Sequence, residues 1–272
     1  MTAIIYTLVN QKGGVGKTTT AISLAANLAI QGLHVLLVDL DPQANATSSL
    51  NIDKQSVDKG IYEALVGEKP IQECLLTHPD YRITIVPSSP SLAGAEIELI
   101  SMDKREFRLK ELLADLSESY DYILIDCPPS LSLLTVNGLV AAKDGVIIPV
   151  QCEYLALEGL GQLMETINQV RFGLFPELAI RGVLMTMYDG RTRLANDVVN
   201  EVKSHFQDKV FNTLIPRNIR LAEAPSFGMP ITAFAPDSLG AKSYEQLVKE
   251  IIEQDTRSGR LKGDQTWRKN QD

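Results

Sequence analysis

The sequence contains little cysteine, few aromatic residues and no apolar run long enough to cross a bilayer. Its three cysteines, Cys74, Cys127 and Cys152, are far apart and form no CxxC pair, which excludes a disulfide framework and a cysteine metal site. We therefore expect buried, reduced thiols. No stretch of about 18 apolar residues occurs, and the first residues lack the basic region and apolar core of a signal peptide. These absences predict a cytoplasmic protein without a membrane span.

The sequence also lacks an excess of basic residues. It has 26 Lys and Arg against 34 Asp and Glu, a net charge of −8 with a pI near 5.0. This balance disfavours a nucleic-acid partner, because binding phosphates requires clustered Lys and Arg. The charge is uneven, however: residues 1–170 carry −10, and residues 171–272 carry 15 basic and 13 acidic side chains. The last hundred residues could therefore form a local basic face, although ordinary variation in surface charge would give the same split.

Apolar, β-branched runs alternate along the chain with segments of helical periodicity. Strands are predicted at residues 4–9, 35–38, 83–86, 122–125, 145–150 and 180–187. Helices are predicted at residues 18–30, 57–66, 105–118, 131–142, 155–171, 193–206 and 243–254. Continuous apolar strands joined by crossover helices indicate a parallel sheet covered on both faces. The prediction is an α/β fold, a single doubly wound domain over residues 1–255 with a polar, loosely ordered tail over 256–272.

A glycine-rich loop, NQKGGVGKTT at residues 10–19, separates the first strand from the first helix. It departs from the general phosphate-binding pattern GxxxxGK[ST], because Gln11 stands where the first glycine belongs. Gly13, Gly14 and Gly16 still allow a tight turn whose N–H groups converge on phosphate oxygens. The following helix N-terminus adds roughly half a positive elementary charge. The alternative is a glycine-rich turn without a ligand.

Four further residues of this loop suit a nucleotide. Lys17 can reach the terminal phosphates, and the Thr18 hydroxyl can bind Mg²⁺. Val15 and Thr19 complete the run of backbone groups around the phosphates. The predicted ligands are therefore ATP and Mg²⁺, and the predicted fold is of the P-loop NTPase type.

Lys12 is an additional lysine that binding phosphates within one subunit does not require. With it, the loop KGGVGKTT resembles the deviant Walker A motif of the ParA/MinD class of P-loop ATPases. The resemblance implies that Lys12 reaches across a nucleotide-dependent homodimer to the ATP of the other subunit. Taken alone, it would be an ordinary solvated lysine.

Carboxylates follow two of the predicted strands, where α/β sheets bind ligands. Asp39 and Asp41 stand in VDLDPQ after the second strand, and strand alternation predicts that they point to the same side. One could hold Mg²⁺ through water and the other could orient the attacking water; the family resemblance assigns Asp41 to the water and Asp39 to the neighbourhood of the magnesium. Asp126 closes a later strand, a position typical of a second Mg²⁺ anchor, although an acidic residue at a strand end is also common for solubility.

The segment IPRNIRLAEAPSFGMPI, from residue 215, is similar to partition ATPases of the ParA/Soj type. The similarity implies that Pro216 and Asn218 contact adenine. It also implies non-specific binding to double-stranded DNA, a centromere-binding partner of the ParB type and a nucleoid-associated protein. The DNA contacts are expected among basic residues of the less acidic part of the chain, with the first two as first choices: Arg191, Arg220, Arg193, Arg217 and Lys242.

Two other functions remain open from the sequence. A membrane-surface positioning ATPase of the MinD kind, or a polar scaffold, would share the nucleotide site. The segment YEQLVKEII from residue 244 reads as an ordinary surface helix, not as a basic amphipathic membrane helix. A metabolic amidoligase would share the fold, but nothing in the sequence suggests an additional glutaminase or substrate domain.

Overall fold

The computed structural model of the protein describes residues 2–154 and 156–261. The strands, in chain order, are β1 Ile4–Leu8, β2 Val35–Asp39, β3 Leu76–Thr77, β4 Ile83–Val86, β5 Tyr122–Asp126, β6 Gly145–Gln151 and β7 Ile180–Thr186. The first helices are α1 Lys17–Ile30, α2 Asn45–Ser48, α3 Ile61–Val66, α4 Leu92–Glu98, α5 Arg108–Ala114 and α6 Leu133–Ala141. The remaining helices are α7 Ala156–Gly173, α8 Arg193–Phe206, α9 Ile219–Glu223, α10 Ile231–Phe234 and α11 Leu239–Arg257. Short 3₁₀ helices occupy Ile71–Cys74, Leu99–Ser101, Gln207–Lys209 and Ala224–Phe227.

Within the described ranges, seven strands form one sheet in the order β3-β4-β2-β5-β1-β6-β7. All neighbouring strands are parallel except β3, which runs antiparallel to β4. Strands β2 to β5 lie on one side of β1, and β6 and β7 lie on the other side, so the direction of the strand order reverses at β1. A crevice at the carboxyl ends of the strands is expected at such a reversal. The doubly wound α/β fold predicted from the sequence is confirmed.

The two faces of the sheet are covered by different helices. One apolar cluster joins alternate strand residues to α1, α10 and α11, and the other joins the opposite residues to α3 through α8. Strands β1, β2 and β5 are buried at every position, because helices pack on both faces and continuous apolar runs suit that environment. Cys74, Cys127 and Cys152 are buried free thiols, as expected.

The six predicted strands lie within two residues of their observed ends, whereas the edge strand β3 was not predicted. It is two residues long and exposed, so it has no apolar pattern. The sequence also missed α2, α4, α9 and α10, which have only four to seven residues.

The last helix differs from its prediction at both ends. It begins at Leu239, because the Ser238 hydroxyl accepts a hydrogen bond from the Ala241 N–H at 3.2 Å and caps the helix there. Lys242, just before the predicted start of this helix, therefore lies in the first turn of α11. The helix continues through Arg257, two residues into the predicted tail, and residues 262–272 of that tail lie outside the described residues. None of the helices described here is long and apolar enough to cross a membrane.

Candidate functional site

A cavity of about 670 Å³ opens at the carboxyl ends of the strands. Its lining comes from the phosphate loop and α1, from the segment after β2, from the loops after β5 and β7, and from residues 215–225 and α11. The residues are Gly13, Gly14, Gly16, Lys17, Thr18, Thr19, Ile22, Asp41, Asn45, Ser49, Pro129, Thr186, Met187, Ile215, Pro216, Arg217, Asn218, Ile219, Leu221, Ala222, Pro225 and Tyr244. The cavity is within the usual size range of small-molecule sites, about 300–1,000 Å³.

The phosphate loop forms one end of the cavity. Gly14 and Gly16 have φ angles of 75° and 90°, which a residue with a side chain would adopt only with strain. The loop is tied to the far strand β7, since the Thr186 hydroxyl donates to the Val15 carbonyl at 2.8 Å. Helix α1 begins at Lys17 directly after Gly16, so its first N–H groups face the loop. The sequence placed these elements correctly.

Lys17 lies inside the loop and is 7 % exposed. Its Nζ donates to the carbonyl oxygen of Lys12 at 3.4 Å. Burial lowers the pKa of Lys17, while the negative charge of Asp126 opposes that shift. A buried ammonium that faces a cavity and has one long hydrogen bond is suited to an anionic ligand.

The side chain of Lys12 contacts the loop after β6. Its Nζ lies 3.4 Å from Glu153 Oε2, and the guanidinium of Arg217 lies 3.5 Å from Glu153 Oε1. The Gln151 amide also donates to Glu153. Glu153 thus joins the phosphate loop to the segment that contains Pro216. The Lys12 side chain is one-third exposed and can leave this ion pair at small cost.

The two carboxylates after β2 occupy different environments. Asp39 is the last residue of β2 and has no exposure to solvent, whereas Asp41 lies beyond the strand and lines the cavity. Strand alternation, on which the expectation of a shared side rests, ends at Asp39 and does not extend to Asp41. Both Asp39 oxygens accept hydrogen bonds from the protein, two from Thr47 and one from the Asp41 N–H. Burial raises the pKa of Asp39 to about 6, and the Thr47 hydrogen bonds oppose the shift.

Asp126, at the end of β5, has the opposite surroundings. Among the residues that the structure describes, neither of its oxygens has a hydrogen-bond partner, although it is fully buried. Burial, reinforced by the charge of Asp39, raises the pKa of Asp126, while the nearby Thr18 hydroxyl and Lys17 oppose that shift. An unpaired buried carboxylate is costly, and it fits a site for a cation. No cluster of three or more His, Cys, Asp or Glu arranged for a metal occurs in residues 2–154 and 156–261, but Mg²⁺ in nucleotide sites needs only one or two carboxylates besides the phosphates.

The other end of the cavity is formed by residues 215–218. Pro216 pairs with Tyr188 in a short parallel bridge, and the Arg217 N–H donates to the Tyr188 carbonyl at 3.0 Å. The Asn218 side-chain oxygen accepts the Arg220 N–H at 2.8 Å and caps α9. The Asn218 amide nitrogen therefore remains the group that can donate to a bound base. Pro216 and Asn218 both line the cavity, together with the apolar side chains of Ile22 and Ile215.

The chain is similar in sequence to known ATPases, as expected for a protein with a phosphate-binding loop. A family model described as an AAA domain matches residues 3–180. The chain is 52 % identical over 252 residues to the chromosome partitioning protein ParA of Myxococcus xanthus, covering 93 % of this chain and 89 % of that protein. It is 52 % identical over 247 residues to the sporulation initiation inhibitor protein Soj of Bacillus subtilis, covering 91 % and 97 %. The chain belongs to the ParA/Soj family of chromosome-partitioning ATPases.

A solved structure shares the whole fold of this ParA/Soj ATPase. It is described as the cobyrinic acid a,c-diamide synthase of Mycobacterium smegmatis with bound ADP and magnesium. The TM-score is 0.83 at 39 % identity, over 95 % of this chain and 97 % of that one. The resemblance to ParA/Soj ATPases seen in the sequence is confirmed, as is the ATPase activity that it implied.

Five basic residues of this ParA/Soj ATPase were predicted to contact DNA, and each has an acidic neighbour. Their closest carboxylates lie 2.7–3.8 Å away in the pairs Arg191–Asp189, Arg220–Glu223, Arg217–Glu153, Arg193–Asp197 and Lys242–Asp237. Hydrogen bonds from Arg191 lower the pKa of Asp189 to about 2. The exposed cations of this region are therefore partly neutralised, which the sequence alone did not indicate.

Several cavity residues escaped sequence analysis. Tyr244 belongs to α11, and its hydroxyl shares a 2.9 Å hydrogen bond with that of Thr20 in α1. Asn45 and Ser49 lie in and after α2, and Met187 has a positive φ of 51° at the end of β7. Long-range packing brings these residues to the ParA/Soj site. Only the positions of Asn45 and Ser49, shortly after Asp41, offered a local signal.

Proposed function

We propose that the protein is an ATP-dependent DNA-partitioning switch. ATP binding drives two subunits into a sandwich dimer that binds DNA without sequence specificity, and hydrolysis stimulated by a ParB-type partner releases the DNA. The protein would act in the cytoplasm, associated with the nucleoid, and segregate a chromosome or plasmid. The observation that carries the proposal is that one cavity joins the phosphate loop to the Pro216–Asn218 segment.

In this proposal the phosphates of ATP bind the loop at residues 13–19 and its base lies near Pro216. Support comes from the converging backbone of the loop and from the buried ammonium of Lys17. At the other end, Pro216 and Ile22 give an apolar surface for the base, and the Asn218 amide can donate to a base edge.

Mg²⁺ would be held by Thr18 and Asp126, because the unpaired carboxylate of Asp126 fits a cation. When bound, the ion neutralises charge on the phosphates. Asp41 is proposed to orient the attacking water, since it lines the cavity but remains 6 % exposed. A carboxylate at the wall of a cavity can accept a proton from a bound water. Because Asp41 is almost fully buried, bulk solvent has little access to it.

Lys12 is proposed to act in the dimer. Its side chain forms a partly exposed ion pair with Glu153, of the kind worth about 0–1 kcal/mol. Lys12 can therefore leave Glu153 and bind a phosphate of the ATP in the partner subunit. There its positive charge would stabilise the transition state, as an arginine finger does.

DNA binding is assigned to Arg191, Arg220, Arg193, Arg217 and Lys242, which would exchange their carboxylate neighbours for DNA phosphates. Each subunit alone offers few contacts on a chain of net charge −8. A dimer doubles the contacts and steepens the salt dependence. This difference would make DNA binding depend on nucleotide.

The experiment is retention of the protein on duplex DNA of arbitrary sequence with ATP, with ADP and without nucleotide. We expect retention only with ATP, and we expect Lys17→Ala to lose ATP binding, dimerisation and DNA retention together. If Lys17→Ala held DNA with an unchanged salt slope, the switch would be disproved. Tight binding of the ADP form at low salt would contradict the proposed release step.

An amidoligase is the second candidate, because the solved structure at 39 % identity is described as a diamide synthase. An amidoligase would release phosphate only with a carboxylic acid and an amide donor such as glutamine. ATP turnover that depends on DNA and a ParB-type protein, and not on glutamine, would exclude it. A MinD-like membrane ATPase or a scaffold is tested by co-sedimentation with liposomes, where ATP-dependent lipid binding without DNA binding would favour it.

A further inference from the structure

Asp41 is held at both ends of its backbone by a small buried network behind the cavity. Its N–H donates to Asp39 Oδ1 at 3.3 Å, and its carbonyl accepts the Ser88 hydroxyl at 2.8 Å. These two contacts come from different strands: Asp39 ends β2, and Ser88 follows β4. The backbone at Asp41 is therefore fixed between two adjacent strands.

The hydroxyl of Thr47 connects the two contacts. It donates to Asp39 Oδ2 at 2.7 Å and accepts the Ser88 N–H at 2.9 Å. The Thr47 N–H also donates to Asp39 Oδ2, at 2.8 Å. Asp39, Thr47 and Ser88 are all fully buried. Each member of the network is paired, and fully paired buried networks give a site a single geometry.

The position of Asp41 depends on this network. Beyond the end of β2 one more backbone hydrogen bond joins the Leu40 N–H to the Asp126 carbonyl at 2.9 Å, and strand pairing ends before Asp41. The chain then turns: Ala44 has a positive φ of 52°, and its N–H donates to the Asp41 carbonyl at 2.8 Å. The backbone of Asp41 is therefore held by this turn and by the network, not by strand pairing. The orientation of the Asp41 carboxylate is fixed by a hydrogen bond from the Gln43 N–H to its Oδ1 at 2.9 Å. Any shift of the backbone at Asp41 would move that carboxylate within the cavity.

We propose that Thr47 is a positioning residue for ATP hydrolysis, acting through Asp39 and Ser88 to fix Asp41. In this role Asp39 is an internal acceptor that orients the segment and does not itself bind the metal ion. The inference rests on the proposed function, in which Asp41 orients the attacking water. Since a displacement of about 1 Å can cost about 100-fold in rate, a hydroxyl outside the cavity can control turnover.

The test compares Thr47→Val, which removes the hydroxyl and keeps the shape, with Thr47→Ser, which keeps the hydroxyl. We expect Thr47→Val to lower kcat by about 10- to 100-fold with the ATP affinity changed less than about threefold, as for a group that acts only on the transition state. Thr47→Ser should restore kcat to within about threefold of the wild-type value. Ser88→Ala removes the hydroxyl on the Asp41 carbonyl and should lower kcat by itself, which keeps the test available if Thr47→Val does not fold.

The matched control is Thr7→Val. Thr7 is equally buried, but its hydroxyl donates to the Gly138 carbonyl in α6 at 2.7 Å and not to the network around Asp41. Wild-type kcat in Thr47→Val, or an equal loss in Thr7→Val, would overturn the proposal. A loss that Thr47→Ser does not restore would also overturn it.

A double variant separates this inference from the proposed function. In an Asp41→Ala background, Thr47→Val should cause no further loss of kcat, because Thr47 acts through Asp41. Additive losses would overturn the positioning role while leaving the role of Asp41 intact. Wild-type turnover in Asp41→Ala alone would overturn the water-orienting role, and the positioning role with it.

Discussion

Asp39 and Asp126 are direct register partners on the parallel strands β2 and β5, yet only one of them is satisfied by the protein. Asp39 accepts three hydrogen bonds, whereas Asp126 has no hydrogen-bond partner among the described residues. Two adjacent buried carboxylates repel each other, which raises the pKa of Asp126 beyond the effect of its burial, and a bound cation would relieve this repulsion. We therefore infer a division of roles between the pair: Asp39 forms hydrogen bonds with the protein chain, and Asp126 is the carboxylate proposed to bind the metal ion.

The first prediction concerns this division. Asp126→Asn should not lower the melting temperature without magnesium, because it replaces an unpaired carboxyl by a neutral group of similar shape. It should weaken Mg²⁺-dependent ATP binding about tenfold or more, which removes about 1.4 kcal/mol or more of the stabilisation by ligand. Thermal unfolding with and without Mg²⁺-ATP measures both effects.

Asp39→Asn is the matched variant, since it changes the same atoms one strand away. It places an NH₂ group against backbone N–H donors and should lower the free energy of unfolding by about 1–3 kcal/mol without any ligand. Equal behaviour of the two variants would show that Asp126 has no special relation to the metal.

Sequence patterns predicted the fold well, because the buried strands are continuous apolar runs and the helices between them indicate parallel pairing. They also placed the phosphate loop, Asp41 and Pro216 on one cavity, since glycine spacing and strand ends are local features. The separation of Asp39 from Asp41 could not be predicted, because it depends on where β2 stops pairing. The partner of Arg217, Glu153, comes from a distant segment and has no local signature. Three other surface arginines, in contrast, have partners only two to four residues away in the sequence: Arg191, Arg193 and Arg220.

The second prediction concerns Lys12, which we propose to act on the nucleotide of the partner subunit. Lys12→Ala should still bind ATP as a monomer but should turn it over slowly. Adding Asp41→Ala subunits, themselves slow, should raise turnover, because a mixed dimer contains one nucleotide with an intact Asp41 and a Lys12 from the other subunit. ATPase assays at fixed total protein measure the gain. An absence of any gain, with mixed dimers demonstrated by a tagged subunit, would show that Lys12 acts within its own subunit.

The third prediction concerns the DNA contacts. Arg191→Ala and Arg220→Ala should each weaken ATP-dependent DNA binding equally for unrelated sequences. Each lost phosphate contact should reduce the slope of log K against log salt by about 0.9, and a dimer loses two per substitution. Fluorescence anisotropy at several KCl concentrations measures the slope. Lys59→Ala is the control, because Lys59 also forms a surface ion pair, 3.3 Å from Glu73, but lies in the acidic part of the chain. An unchanged slope would remove that arginine from the DNA interface.

The fourth prediction concerns the attachment of α11 to the sheet through Asp255. This residue is fully buried; its carboxylate accepts the hydroxyls of Tyr6 at 2.6 Å and Tyr122 at 2.9 Å and lies 3.1 Å from Arg181. Asp255→Ala should lower the free energy of unfolding by about 3–5 kcal/mol, because it leaves the buried Arg181 guanidinium without its counter-charge.

Glu245 provides the control on the same helix. It forms an exposed pair with Lys249 at 2.7 Å, and Glu245→Ala should cost less than about 1 kcal/mol. Urea unfolding at pH 7 measures both variants. Since α11 also carries Tyr244, whose hydroxyl bonds to Thr20 beside the phosphate loop, Asp255→Ala should weaken ATP binding as well. Wild-type stability in Asp255→Ala would mean that apolar packing alone holds the helix, and that the buried ion pair adds nothing to it.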